Sequence, residues 1–138
     1  MAPGCMRTNS ASIELRVPFV PSSVAPARKH LRRWMADQNA SADRIDEASV
    51  VLSELVGNSV RHAAPLADGN LLVAWCLDAG RLRLSVTDGG GNTQPQMMSA
   101  PPSALSGRGM LIVENLAQSW WMDRSGRRTT VHALLLMR

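Results

Sequence analysis

Hydrophobic and polar positions alternate along this chain at two periods, and the switches between them mark its elements. Ile13, Leu15 and Val17 alternate with Glu14 and Arg16, which predicts a short half-buried strand closed by Pro18. Ala27, Leu31, Trp34 and Met35 then recur at helical spacing. They predict a helix from Ser22 or Ser23 to about Asn39, with Pro26 tolerated in its first turn. Ser41 stands where it can cap a second helix, with Asp43 near the positive end of the dipole and Pro65 just past the other end. On that helix Ile45, Ala48, Leu52, Leu55, Val56, Ser59 and Ala63 gather on one side, at about 100° per residue. Glu54, Asn58 and Arg61 share a narrow arc on the other side.

Beyond Pro65 the period shortens to two. Asp68-Gly69 turns the chain into a strand over Leu71–Leu77, and Asp78-Ala79-Gly80-Arg81 reads as a hairpin turn. Leu82, Leu84 and Val86 then alternate with Arg83, Ser85 and Thr87. Parity carries Asp88 onto the apolar face, where a carboxylate is costly unless something hydrogen-bonds to it. Gly89, Gly90, Gly91 and Asn92 follow, and from Thr93 to Ser106 no period survives. Such a long loop inside a small domain points to function or to mobility. Ser106-Gly107-Arg108-Gly109 precedes a helical pattern of Met110, Leu111, Val113, Glu114, Leu116 and Ala117. Gln118–Met122 and Thr129–Met137 close the chain as a hairpin around Ser125-Gly126, with Trp120 and Trp121 on opposite faces. Residues 1–11 have no period and read as a disordered tail.

Composition narrows the classes. The chain has 138 residues, 45% hydrophobic and 19% charged, which suits one globular domain. Neither a bilayer-spanning apolar run nor a signal-peptide core is visible, so a soluble cytoplasmic protein without a membrane role is expected. Cys5 and Cys76 lack metal-type spacing and are expected as free thiols. The net charge of +4 is scattered except at Arg28-Lys29-His30-Leu31-Arg32-Arg33, which reads as the solvated face of a helix. With no Tyr and one Phe, the chain lacks the aromatic platform of single-strand binders, and direct nucleic-acid binding is not expected.

Three features carry candidate chemistry. The arc of Glu54 and Asn58 sets a carboxylate one turn from a carboxamide, a possible base and a possible metal ligand, against the plainer reading of a solvated face. Asp88 with its glycines offers an inward acceptor beside a loop that a ligand can approach, or else simply ends a strand. Gly107 and Gly109 stand where glycines opening a helix make an anion site, or a hinge.

Taken in order, Glu54-x-x-x-Asn58, Asp88-Gly-Gly-Gly and Gly107-x-Gly109 resemble the N, G1 and G2 boxes of the GHKL ATPases. Glu54–His62 and Ser106–Leu116 are similar to the stand-alone anti-sigma-factor serine kinases of that superfamily, and the resemblance spans about residues 12–137. It implies an α+β fold: a two-layer α/β sandwich with a mixed, mainly antiparallel sheet covered on one face by helices. It implies ATP and Mg²⁺, with a lid over about 92–106. Asp88 would accept from the adenine amino group and Gly90 would let the base approach. Asn58 would give an oxygen to Mg²⁺, and Glu54 would be the catalytic base. Gly107, Arg108 and Gly109 would hold phosphates. Thr129 would support Asp88, with Thr130 the competing choice. His62 and Arg61 receive no role, and Asn92 departs from a usual glycine. The implied activity is phosphorylation of a serine on an STAS-like anti-anti-sigma antagonist by a homodimeric, sigma-factor-binding kinase. The alternative is a non-catalytic module whose partner surface ATP shapes.

Overall fold

A computed structural model describes residues 12–91 and 105–137, the side chains of 105–108 excepted. The expected tail over 1–11 and nearly all of the expected lid, including Asn92, lie outside the described residues. Strand β1 (Ser12–Pro18) leads through a 3₁₀ turn (Pro21–Ser23) into α1 (Val24–Asp37) and α2 (Ala42–His62). Then come β2 (Asn70–Asp78), β3 (Arg81–Asp88), α3 (Leu105–Leu116), β4 (Ser119–Ser125) and β5 (Arg128–Leu136).

The strands form one sheet in the order β1-β2-β3-β5-β4. Every pairing among the described residues is antiparallel, in keeping with the mainly antiparallel sheet that was expected. Two tight hairpins, β2–β3 and β4–β5, reverse the chain directly, and the helical connection from β1 to β2 also returns reversed. Register explains the layering. Antiparallel partners share a face, so the row Ile13–Trp75–Leu84–Ala133–Trp120 presents apolar side chains to one side of the sheet. The row Val17–Leu71, with Leu15–Val73–Val86–Val131–Met122 beside it, does the same. All of these meet Leu31, Met35, Leu52, Leu55, Val56, Met110 and Val113 from the three helices in a single core. Leu52 is fully buried there, worth about 1.5–3 kcal/mol relative to leaving it in water.

Local chemistry accounts for the boundaries. Asn39, at φ 64°, ends α1 in a left-handed residue, and the Ala40 amide reaches back to the Met35 carbonyl at 3.0 Å. Ser41 caps α2 as expected, accepting from the Arg44 amide at 3.2 Å. Ser23 stands at the N-cap of α1, yet its hydroxyl donates to the Pro18 carbonyl at 2.6 Å and ties the helix to the end of β1. Positive φ at both Ala79 and Gly80 gives the β2–β3 hairpin its tight turn.

Three expectations are corrected or divided. Helix α3 starts at Leu105, ahead of both glycines, because Leu105 to Gly109 can already wind as its first turn. Cys76 is disulfide-bonded, so it is no free thiol. Of the two tryptophans, Trp120 packs against the core, whereas Trp121 lies on the helix-free face. There it stacks on His132 at 5.0 Å between centroids, and the Arg83 guanidinium lies over its ring.

Candidate functional site

The polar arc of α2 does not look out into solvent alone. Glu54 and Asn58 are each half-buried, on the side of the helix that meets α3. A Cβ built on Gly109 would stand 2.5 Å from Glu54 Oε1 and 3.9 Å from an Arg61 guanidinium nitrogen. The missing side chain of Gly109 is therefore the space in which the Glu54 carboxylate sits. Arg61 folds back along its own helix, its guanidinium 3.1 Å from the place a Gly57 Cβ would take. The carboxamide oxygen of Asn58 is buried and accepts no hydrogen bond among the described residues. An oxygen in that state suits Mg²⁺, which takes hard oxygen donors and needs few of them from protein when phosphates supply the rest. Among the described residues no cluster of three His, Cys, Asp or Glu competes as a metal site.

Asp88 ends β3 on the helix-facing side, as its parity required, and is 4% exposed. Its two oxygens are separately held. Ser59 Oγ donates to Oδ2 at 2.8 Å, and the Gly90 amide donates to Oδ1 at 2.8 Å. Burial pushes the Asp88 carboxyl above its ordinary pKa, against those two hydrogen bonds and the positive charge of Arg124. Thr129 pairs with Asp88 and is buried on the same face, while Thr130 faces the other way and shares a 2.8 Å hydrogen bond with Thr87.

The glycines after Asp88 are packed against backbone. Gly90 has φ 85°, and a Cβ there would run into the Arg127 carbonyl of the β4–β5 turn. A Cβ on Gly89 would run into the Pro65 carbonyl, and one on Gly91 would lie 2.9 Å from the His62 carbonyl. Ala64 completes the junction: its amide donates to the Gly90 carbonyl and its carbonyl accepts from the Gly89 amide, both at 2.8 Å. The end of α2 and the turn after β3 are thus fastened to each other.

Of the residues singled out in the sequence, Glu54 and Asn58 lie one turn apart on α2 with Gly109 against Glu54, and Asp88, Gly90 and Thr129 gather at the end of β3, joined to α2 through Ser59. Gly107 and Arg108 lie in the first turn of α3, where amides lack helical partners, and the Arg108 side chain lies outside the described residues. Gly109 falls a turn inside the helix, so its missing side chain matters more visibly than its amide. His62 is exposed, joined to the site through its backbone alone. Sequence reasoning missed Ser59 and Arg124. A hydroxyl within the apolar stripe of α2 was the available sign for Ser59; Arg124 carried none.

A helix layer over an antiparallel sheet, with Glu54 on α2 and Asp88 at the end of β3, is the frame of an α+β domain of GHKL type. The chain belongs to the histidine kinase-like ATPase domain family, whose model matches residues 17–134, and ATP is the ligand that family implies. Among solved structures it is similar to the RsbU and RsbW domains of Rv1364c from Mycobacterium tuberculosis, with TM-score 0.71 and 22% identity over 92% of this chain. That match takes in only 32% of the mycobacterial chain. It is also similar to the SiaB–SiaC complex from Pseudomonas aeruginosa, with TM-score 0.70, 14% identity and coverage of 94% of this chain and 92% of that one. The Acinetobacter baumannii histidine kinase AdeS follows at TM-score 0.53 and 14% identity, over 91% of this chain and 68% of that one. No curated protein matches.

Proposed function

We propose that this chain is an ATP- and Mg²⁺-dependent protein serine kinase of the anti-sigma type. It binds a sigma factor and phosphorylates a serine of an STAS-like anti-anti-sigma antagonist. The observation that carries the reading is the pairing on α2 of an unengaged buried oxygen, Asn58 Oδ1, with a carboxylate seated against the start of α3. A solvated face would have neither. The similar solved structures add support, since one joins an RsbW domain to an RsbU domain and another is a SiaB chain complexed with SiaC.

In this reading Asp88 accepts a hydrogen bond from the adenine amino group, and Thr129 stands beside it. The free amides that open α3, Gly107 and Arg108 among them, face the phosphates with the positive end of the helix dipole. Asn58 holds Mg²⁺, which when bound spreads the phosphate charge. Glu54 takes the proton from the attacking serine hydroxyl as its oxygen bonds to the γ-phosphorus and the bond to ADP breaks. The Gly109 gap keeps that carboxylate in place.

Incubating the protein and candidate antagonists with γ-labelled ATP tests this. Label should appear on an antagonist serine, and Glu54→Ala should cut transfer by about 10²–10⁴ while ATP still binds. Undiminished transfer in that variant removes Glu54 from the mechanism. Tight ATP binding by the native chain with no transfer to any antagonist replaces the kinase with an ATP-gated binding module.

A further inference from the structure

One charged side chain beside Asp88 has no part in the scheme above. Arg124 pairs in register with Thr129, and Thr129 with Asp88, so guanidinium, hydroxyl and carboxylate stand in one row across β4, β5 and β3. Paired antiparallel residues share a face, which puts Arg124 on the helix side of the sheet, in line with Thr129 and Asp88. Arg124 is exposed, and among the described residues it makes neither a hydrogen bond nor an ion pair. Among the described residues the other elements around Asp88 present neutral groups to it: the Ser59 hydroxyl from α2, the Gly90 amide from the turn, and Thr129 from β5. Arg124 is the one charge among the described residues whose field acts on that carboxylate.

We propose that Arg124 is a positioning residue that sets the choice of adenine over guanine, by holding Asp88 in its acceptor-only form. The inference rests on the reading of Asp88 as the nucleobase contact. Its chemistry is simple. An ionised carboxylate only accepts, so it pairs with the amino group of adenine and repels the carbonyl oxygen that guanine carries at the same edge. A protonated carboxyl gains an O–H donor, and that donor suits the guanine oxygen. Burial already favours the proton, and Arg124 opposes it from across Thr129.

The test compares the dissociation constants of ADP and GDP by titration calorimetry at a series of pH values on either side of neutrality. The chains are the native protein, Arg124→Gln, Arg124→Lys, Asp88→Asn and the Arg124→Gln/Asp88→Asn pair. Because Arg124 is exposed, its replacement leaves the core untouched. At neutral pH Arg124→Gln should weaken ADP about two- to fivefold, the scale of an exposed charge interaction. Its ADP-to-GDP preference should shrink further as the pH falls, Arg124→Lys should keep most of the native preference, and Arg124→Gln should change nothing in the Asp88→Asn background. A preference unchanged at every pH overturns the inference, as does an equal loss with Lys and Gln that persists in the Asn background. Native protein that binds neither nucleotide sinks the ATP reading itself, whereas native binding with an unaltered Arg124→Gln sinks only the role of Arg124.

Discussion

At the scale of single residues, two positions separate binding from chemistry. Asp88 is a buried carboxylate with a raised pKa, so its ionised form costs stability in the folded chain. Asp88→Asn removes that charge and keeps the shape. It should leave the melting temperature at pH 7 unchanged or higher, yet weaken ATP binding roughly 10- to 100-fold, the worth of a charged hydrogen bond. Calorimetry of binding beside a thermal melt reads both, and a fall in melting temperature would contradict this account of the cost. Gly109→Ala makes the complementary change. Its Cβ must displace the Glu54 carboxylate, the movable end of a flexible side chain, so folding should survive while kcat drops about 10- to 100-fold. Steady-state kinetics that show only a higher KM would put the damage in binding instead. Parity along β3 made Asp88 legible in the sequence. The Ser59 hydroxyl that holds it comes from 29 residues away, and no local period encodes a contact of that separation.

At the scale of elements, α2 was the most legible part of the chain, since its cap, both faces and its end by Pro65 all follow from residue order. Its attachment to the rest was not. The Ala64–Gly89 and Ala64–Gly90 backbone bonds involve residues whose side chains are too small to give a pattern. Gly90 looked like an opening for a ligand, and the atom that its missing side chain accommodates is the Arg127 carbonyl of the last hairpin. Gly90→Ala combines φ 85° with a backbone collision and should cost about 1–3 kcal/mol. Denaturant unfolding measures this, and a change below a few tenths of a kcal/mol would show that the turn can move aside. The start of α3 was misjudged because glycine was taken as the boundary, and helix winding across Gly107 and Gly109 is favourable enough beside α2 to extend it.

At the scale of the whole molecule, the alternation in β1 and β3 pointed to an apolar sheet face, and the resemblance to a known family implied the two layers. The helix-free face was read less well, because it too is partly closed. His132 is 2% exposed there, with Asp123 Oδ2 3.0 Å from Nε2, and burial holds its pKa below the ordinary 6.5 despite that carboxylate. The sign is fixed by linkage: a base with a depressed folded pKa gives stability that is complete above 6.5 and fades as the pH falls through the folded value. Asp88 works the other way, its burial costing least below 3.8 and most once it is ionised. Melting curves against pH should therefore show an acid-side loss that His132→Gln removes and Asp88→Asn deepens; an identical profile in all three chains would refute both assignments. The Ser59–Asp88 bond also joins the layers, since one partner is on a helix and the other on the sheet. A carboxylate has about four lone-pair sites, and two are filled here, one on each oxygen. Two sites remain, so a further donor to Asp88 would add to the set without displacing the Ser59 hydroxyl or the Gly90 amide.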